Sequence, residues 1–277
     1  MRRLIGVLMV GAAGLILGLA APAAEAAQKC PPDSVAVGPA CLDTHEASVW
    51  EVPPTETGLI RKIKKGKATL ADLTSPAAVA AGVVQRGVAS DDYGAGCPHS
   101  GNGCVDFYAV SIPGVTPSVF LTWLQAAAAA RNAGKRLPSN QEWQAAALGT
   151  PDPGVSAAAS ADCNTANGGG MGVDAVVPTG SRANCFSDVA AFDMVGNLDE
   201  WVADWVPRST ACPGWGVFSD DFMCLAGASI SSGPGALIRG GNFSDGTDAG
   251  VFAVDSGTPP AGSSGSSGSD LGFRAAR

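Results

Sequence analysis

The sequence predicts an exported domain of mixed helix and strand, in which regular structure is sparse and short disulfide-closed loops hold the chain. Three observations predict it. Residues 1–26 read as a secretory leader: Arg2 and Arg3 precede an apolar run from Leu4 to Leu19, and Ala24-Glu25-Ala26 supplies a small-residue cleavage site. All eight cysteines (Cys30, Cys41, Cys97, Cys104, Cys163, Cys185, Cys212 and Cys224) follow that leader and fall in neighbouring couples, as suits an oxidising compartment. Strand signals at both ends bracket two helix signals, and Gly and Pro, 37 and 19 of 277 residues, fill much of the rest.

Removal of the leader leaves 251 residues, read as one domain over 27–277. An uncleaved anchor is the alternative, but the apolar run is short for a span and no second one follows. The leader carries two Arg and one Glu, so its loss takes the net charge from −8 to −9. An acidic surface argues against nucleic acid and anionic membranes as partners and suits cations. The simplest disulfide pairing is sequential: Cys30 with Cys41, Cys97 with Cys104, Cys163 with Cys185 and Cys212 with Cys224. Each bridge closes a short loop and so limits the entropy of the unfolded chain. Zinc is the rival reading, but there is no C-x-x-C pair and there are two His in all. The expected location is secreted or periplasmic.

In chain order, Ser34-Val35-Ala36-Val37 and Cys41 to Trp50 read as two strands joined at Gly38-Pro39. His45 and Glu46 on the second read as a surface hydrogen-bonded pair with no assigned chemistry. Residues 51–75 carry Arg61, Lys62, Lys64, Lys65 and Lys67 and read as a solvated loop, with docking of an anionic partner as the alternative. Residues 91–106 form a Cys-tied loop, and Phe107 to Ile112 a strand stopped by Pro113-Gly114. A first helix is placed with Thr116 as N-cap and Pro117 at its first position. Val119, Phe120, Trp123, Leu124 and Ala127 form its apolar face, and it ends near Gly134. Ser139 and Glu142 make a capping box that opens a second helix carrying Trp143, Ala146, Ala147 and Leu148, closed at Gly149. The run Gly168-Gly169-Gly170 lacks the strand and Lys-Ser/Thr signature of a phosphate loop. Ala236 to Phe243 and the end, Leu271 to Arg277, read as strands, and 256–269 as a Ser/Gly/Pro-rich loop.

Residues 192–205, Phe-Asp-Met-Val-Gly-Asn-Leu-Asp-Glu-Trp-Val-Ala-Asp-Trp, place four carboxylates, an Asn and a Gly among apolar and aromatic residues. Two readings stay open. Oxygen-rich spacing with a Gly that lets carbonyls turn inward suits a hard cation such as Ca²⁺, although the pattern is not an EF-hand loop. The other reading is a short amphipathic helix with Trp201 and Trp205 on one face and Asp199, Glu200 and Asp204 in water.

Five segments together resemble the formylglycine-generating enzyme, or sulfatase-modifying factor, family. They are Cys41-Leu42-Asp43-x-x-Glu46-Ala47-Ser48, Gly134-Lys135-Arg136-Leu137-Pro138-Ser139-x-x-Glu142-Trp143, Phe192 to Trp201, Arg239-Gly240-Gly241-Asn242-Phe243 and Leu271-Gly272-Phe273-Arg274. They occur in the family's order across nearly the whole mature chain. The resemblance implies an α+β domain of C-type-lectin-like topology. It also implies a Ca²⁺ held by the Asp193 side chain, the Gly196 and Leu198 carbonyls and the Glu200 carboxylate, with a second near Asn164 and Thr165 whose remaining ligands do not align with 171–174.

The catalytic part of the resemblance fails. The oxidase holds copper(I), a thiolate-seeking ion, on two cysteines after the Gly-Gly-Asn-Phe strand. Those positions are Asp245 and Gly250 here, no Cys follows Cys224, and Asp199 replaces the family's aromatic residue. The chain resembles a bacterial subgroup lacking the copper-binding cysteines. His45 and His99 are too few for a three-histidine iron site, and no nucleophile elbow accompanies them. The expectation is a secreted, calcium-stabilised, non-catalytic module, free of copper, that binds a protein, peptide or glycan. The alternative is a formylglycine-generating oxidase acting on a protein cysteine, for which Cys212 and Cys224 would have to stay reduced. Asp245 and Asp248, near Asn242 and Ser244, could instead bind a hard metal or act as acid and base, or be a polar loop that replaced the lost site.

Overall fold

The computed structural model describes residues 29–90, 92–154, 161–165, 175–261 and 268–277. The leader (1–26), the Gly168–Gly170 run and the 171–174 part of the second calcium site lie outside them. Strands β1 (Ser34–Val37) and β2 (Ala40–Asp43) form an antiparallel hairpin across Gly38-Pro39, with Gly38 at φ +55°. The strand expected from Cys41 to Trp50 is interrupted at 44–46 and resumes as β3 (Ala47–Glu51). The break turns His45 and Glu46 inward, and both are buried; the expected surface pair is therefore corrected.

Residues 51–75 are not the expected loop. Helix α1 (Thr57–Lys64) buries Leu59 and Ile63, one turn apart, and sends Arg61, Lys62 and Lys64 outward. Helix α2 (Leu70–Thr74) is opened by a Thr69–Asp72 capping box, and α3 (Pro76–Ala81) by the Ser75 hydroxyl with Pro76 in the first turn. Lys62 pairs with Asp72 at 2.5 Å and pins the first two helices together. The basic run masked two apolar positions at helical spacing.

Strand β4 (Val84–Arg86) and β5 (Phe107–Ser111) flank β3 in an antiparallel sheet of order β4-β3-β5. Helix α4 runs Trp123–Asn132, with Thr122 and Gln125 as its capping box, so the expected start at Thr116 is six residues early. Residues 116–121 are claimed by the sheet instead. The Ser118 and Val119 amides donate to the Ala47 and Gly87 carbonyls, and the Ser118 hydroxyl accepts from Val49 N–H. Phe120 at φ +57° then ends any helical path. The buried face of α4 is Gln125, Ala126 and Ala128 to Ala130; Trp123, Leu124 and Ala127 are only partly covered. Helix α5 (Asn140–Ala147) matches its predicted capping box and buries Trp143, Ala146 and Ala147, while Leu148, past its end, is exposed.

The remaining strands form one mixed sheet: β6 (Asp199–Pro207), β7 (Met223–Cys224), β8 (Pro234–Gly240), β9 (Gly250–Asp255) and β10 (Leu271–Phe273), in the order β10-β6-β8-β9-β7. The helix reading of 192–205 is thereby overturned. A register shift between Trp201 and Trp205 leaves the first fully buried and the second about half exposed, which no single helix face would do. Core side chains gather in one cluster between α4, the three-stranded sheet and Trp201, Leu271 and Phe273, and in a second around Trp143, Leu42, Met194 and Val202.

All eight cysteines pair in sequence order, as expected, and none is free. Four disulfides mark an extracellular or periplasmic protein. Among the described residues no helix is long and apolar enough to cross a membrane.

Candidate functional site

The 192–205 segment closes around a fully buried Arg274, which β10 delivers beside β6 by parallel pairing of Gly272 with Glu200 and Phe273 with Trp201. Its Nε and Nη2 donate to the Glu200 carboxylate, the Nη2 bond being 2.6 Å, and Nη2 also reaches the Phe192 carbonyl at 2.8 Å. Trp143 on α5 donates its indole N–H to Glu200 Oε2 at 2.7 Å. Glu200 is thus held by three N–H groups from two side chains, and burial of its charge is offset by charge-assisted bonds. Burial opposes the charged form of Arg274, but Glu200, Glu46 and Asp193 together outweigh it and the guanidinium is held above its ordinary range.

Two more acids face this pair. Glu46 Oε2 accepts from the Asn197 amide at 2.6 Å, while its Oε1 is buried with no hydrogen-bond partner. Burial, then the charges of Asp193 and Glu200, push the Glu46 carboxyl well up. Asp193 Oδ2 accepts from Gly180 N–H at 2.7 Å, and burial lifts this carboxyl to about 6. Asn197 ties the loop together: its amide N–H donates to the Asn164 carbonyl at 2.8 Å and its Oδ1 accepts from Val177 N–H at 2.9 Å. Asp193 and Asn197 stand at φ 56° and 61°, a region Asp and Asn tolerate better than most residues.

The fold therefore buries Asp193, Gly196 and Leu198 in the bends that lead into β6, and Glu200 at the start of that strand. The set is all oxygen, as a hard cation requires, although the Gly196 carbonyl already accepts the Leu198 N–H; beside it, Glu46 brings a third carboxylate toward Arg274 with one oxygen unpaired. Glu200 would reach such an ion only with lone pairs not already given to Arg274 and Trp143. Asn164 and Thr165 are buried beside the turn, and Asn164 donates to Asn197 Oδ1 at 3.1 Å. Sequence reasoning missed Glu46 as a partner. It stood in a quoted motif, but its neighbours lie 151 residues away.

A second network fastens the N-terminal hairpin to the chain's end. Lys135, with no exposed side chain, bridges Asp43 at 2.6 Å and Asp33 at 2.7 Å, and Arg277 reaches Asp33 at 2.9 Å. Burial outweighs the Lys135 charge at Asp43 and raises that carboxyl to about 6.

His45 has its pKa lowered to about 4, by burial and then by the charge of Arg274. Because the native ring takes up its proton only near that value, the unfolded state binds more protons between pH 6.5 and 4. His45 thus contributes stability that is full above pH 6.5 and is lost on acidification, by about 3 kcal/mol in total. Denaturant unfolding of His45→Gln and wild type across this window should show the variant's stability depending less steeply on pH, in the direction of relative gain at the acid end. Parallel profiles would refute the assignment.

Beyond β8 the described residues offer no thiolate; the sulfur that packs there, with Ala249, is the Cys163–Cys185 disulfide. Asp245 accepts from Asn242 N–H at 2.8 Å, and the Asn242 side chain donates to Asp199 at 2.9 Å. Gly250 packs against the carboxylate of Asp221, where a Cβ would lie 2.2 Å from Oδ1. Asp248 is separate from this bridge, and its backbone carbonyl accepts from Phe222 N–H. Cys212 and Cys224 are joined to each other.

No curated protein sequence matches the chain. Among solved structures, the Major Tropism Determinant M1 variant is 18% identical, with a TM-score of 0.45 over 89% of this chain and 52% of that one. The P3c variant is 19% identical, with a TM-score of 0.38 over 65% and 47%. The chain thus spans about half the length of these proteins. The model of the sulfatase-modifying factor enzyme 1-like domain matches residues 74–277. With that match over most of its length, this chain belongs to the sulfatase-modifying factor (formylglycine-generating enzyme-like) family.

Proposed function

We propose that this protein is a secreted, calcium-stabilised and non-catalytic member of its family, acting as a binding module for a protein, peptide or glycan. The observation that carries the reading is sulfur chemistry: every cysteine is in a disulfide, and Asp245 and Gly250 stand where the oxidase needs thiolates. A copper(I) ion has no soft donor there. The leader-like residues 1–26 and the four disulfides support export. In the buried turn, Asp193, the Gly196 and Leu198 carbonyls and Glu200 would hold the calcium, which would supply charge compensation and rigidity. Excess carboxylate around Arg274 supports this.

The test joins three measurements on mature protein. Thiol titration without reductant should find none, and a Cys-containing sulfatase-type peptide should not be converted even with copper supplied. Turnover of that peptide would restore the oxidase reading. Metal analysis should find calcium, and chelation should lower the midpoint of thermal unfolding. A ligand present at a hundredfold over its Kd stabilises by about 2.7 kcal/mol, or about 5–10 °C for a chain of this size. An unchanged midpoint, with no calcium bound, would end the calcium part.

A further inference from the structure

Away from the buried turn, Asp220 and Asp221, in the loop closed by Cys212 and Cys224, meet Asp152 from the segment after α5. One carboxylate oxygen from each lies within 4.8 Å of the other two. Three like charges so close repel one another unless positive charge lies between them. Asp221 is 2% exposed; its Oδ2 accepts from Phe252 N–H at 2.6 Å, but its Oδ1 is buried with no hydrogen-bond partner. Arg239 feels the Asp221 charge, yet its Nη1 and Nη2 donate to the Ala253 and Val251 carbonyls. Burial, offset in part by Gly154 N–H and reinforced by Asp221 and Asp220, raises the Asp152 carboxyl.

We propose that Asp152, Asp220 and Asp221 bind a hard divalent cation of the calcium class, at a surface site distinct from the Asp193–Glu200 turn and independent of the function proposed above. Asp221 supplies a carboxylate already stripped of water, and an ion beside it would offset the cost of leaving its Oδ1 unpaired. Three carboxylate oxygens no more than 4.8 Å apart can close on one hard ion, and an all-oxygen set completed by water is of the kind calcium takes. Asp152 and Asp220 face solvent, so water can complete the coordination shell. No thiolate or imidazole is in the cluster, which disfavours softer metals.

The site is wired to an exposed aromatic patch. Phe252, whose N–H caps Asp221, accepts the Trp215 indole N–H on its carbonyl at 3.0 Å, and Phe218 packs on Phe252 with ring centroids 5.0 Å apart. An ion on Asp221 therefore steadies Phe252 and, through it, Trp215 and Phe218. It also places an excitable indole near a lanthanide bound in calcium's stead.

The experiment titrates chelator-treated mature protein with calcium by calorimetry and with terbium by indole-sensitised emission. Wild type should bind one more equivalent than Asp152→Asn/Asp220→Asn, whose side chains reach solvent, so that folding is undisturbed. Asp221→Asn, which keeps an oxygen for Phe252 N–H, should lose the same equivalent. Trp215→Phe should keep the stoichiometry and lose the part of the emission that Asp152→Asn/Asp220→Asn removes, leaving any that Trp143 sensitises in the buried turn. Asp193→Asn separates the two sites: it should remove the buried-turn equivalent and leave this one. Loss in the Asp152/Asp220 variant with no change in Asp193→Asn would uphold this site and reject calcium in the turn. Equal stoichiometry and affinity in wild type and Asp152→Asn/Asp220→Asn, or no calcium bound by wild type, would overturn the proposal.

Discussion

Replacing Arg274 with Met should lower stability by about 3–5 kcal/mol, because it strands the Glu200 carboxylate in a dry site that Glu46 and Asp193 already make negative. For a domain of this size that is a fall of about 6–20 °C in the thermal midpoint. The guanidinium also serves the Phe192 carbonyl, so the turn that carries Asp193 should loosen with it. Adding Glu200→Gln discriminates the charge account from simple loss of packing. Gln keeps an acceptor for the Trp143 indole but needs no counter-ion, so the double variant should be more stable than Arg274→Met alone. If the second change deepens the loss, the buried charge is not what Arg274 compensates.

Gly196→Ala should cost about 3 kcal/mol or more. Gly196 stands at φ +73°, where a side chain is strained by about 1–2 kcal/mol, and its Cβ would lie 2.4 Å from the Asn164 carbonyl oxygen. That oxygen accepts the Asn197 N–H, so relief of the overlap breaks the bond that folds the turn. Gly214→Ala is the internal control. It has φ +68° and open space around the added carbon, so it should show the backbone strain alone. Similar unfolding midpoints for the two variants would show that the close approach to Asn164 is unimportant.

The parts of this molecule legible in the chain are those whose cause is local. Ser139 and Glu142 lie one helical turn apart and cap α5 wherever it packs. Cysteines separated by 7 to 22 residues find each other because short loops close readily. Five distinct motifs in a fixed order placed the family, and with it the architecture. What the residues alone left open, or misplaced, depends on distant partners. Thr116-Pro117 is a good local helix start, but hydrogen bonds from Ser118 and Val119 to the Ala47 and Gly87 carbonyls hold the segment extended and move α4 to Thr122.

Residues 192–205 fit a helix by the spacing of Trp201 and Trp205, and pairing with β8 and β10 makes the part from Asp199 onward a strand instead. Glu46, Glu200 and Arg274 meet across separations that no periodicity encodes, as do Asp152 and Asp221. A single sequence states which charges exist, and composition alone favours an acidic surface. Which of those charges are buried, and which are left short of a partner, follows from packing, because desolvation and pairing act between groups that only the folded chain brings together.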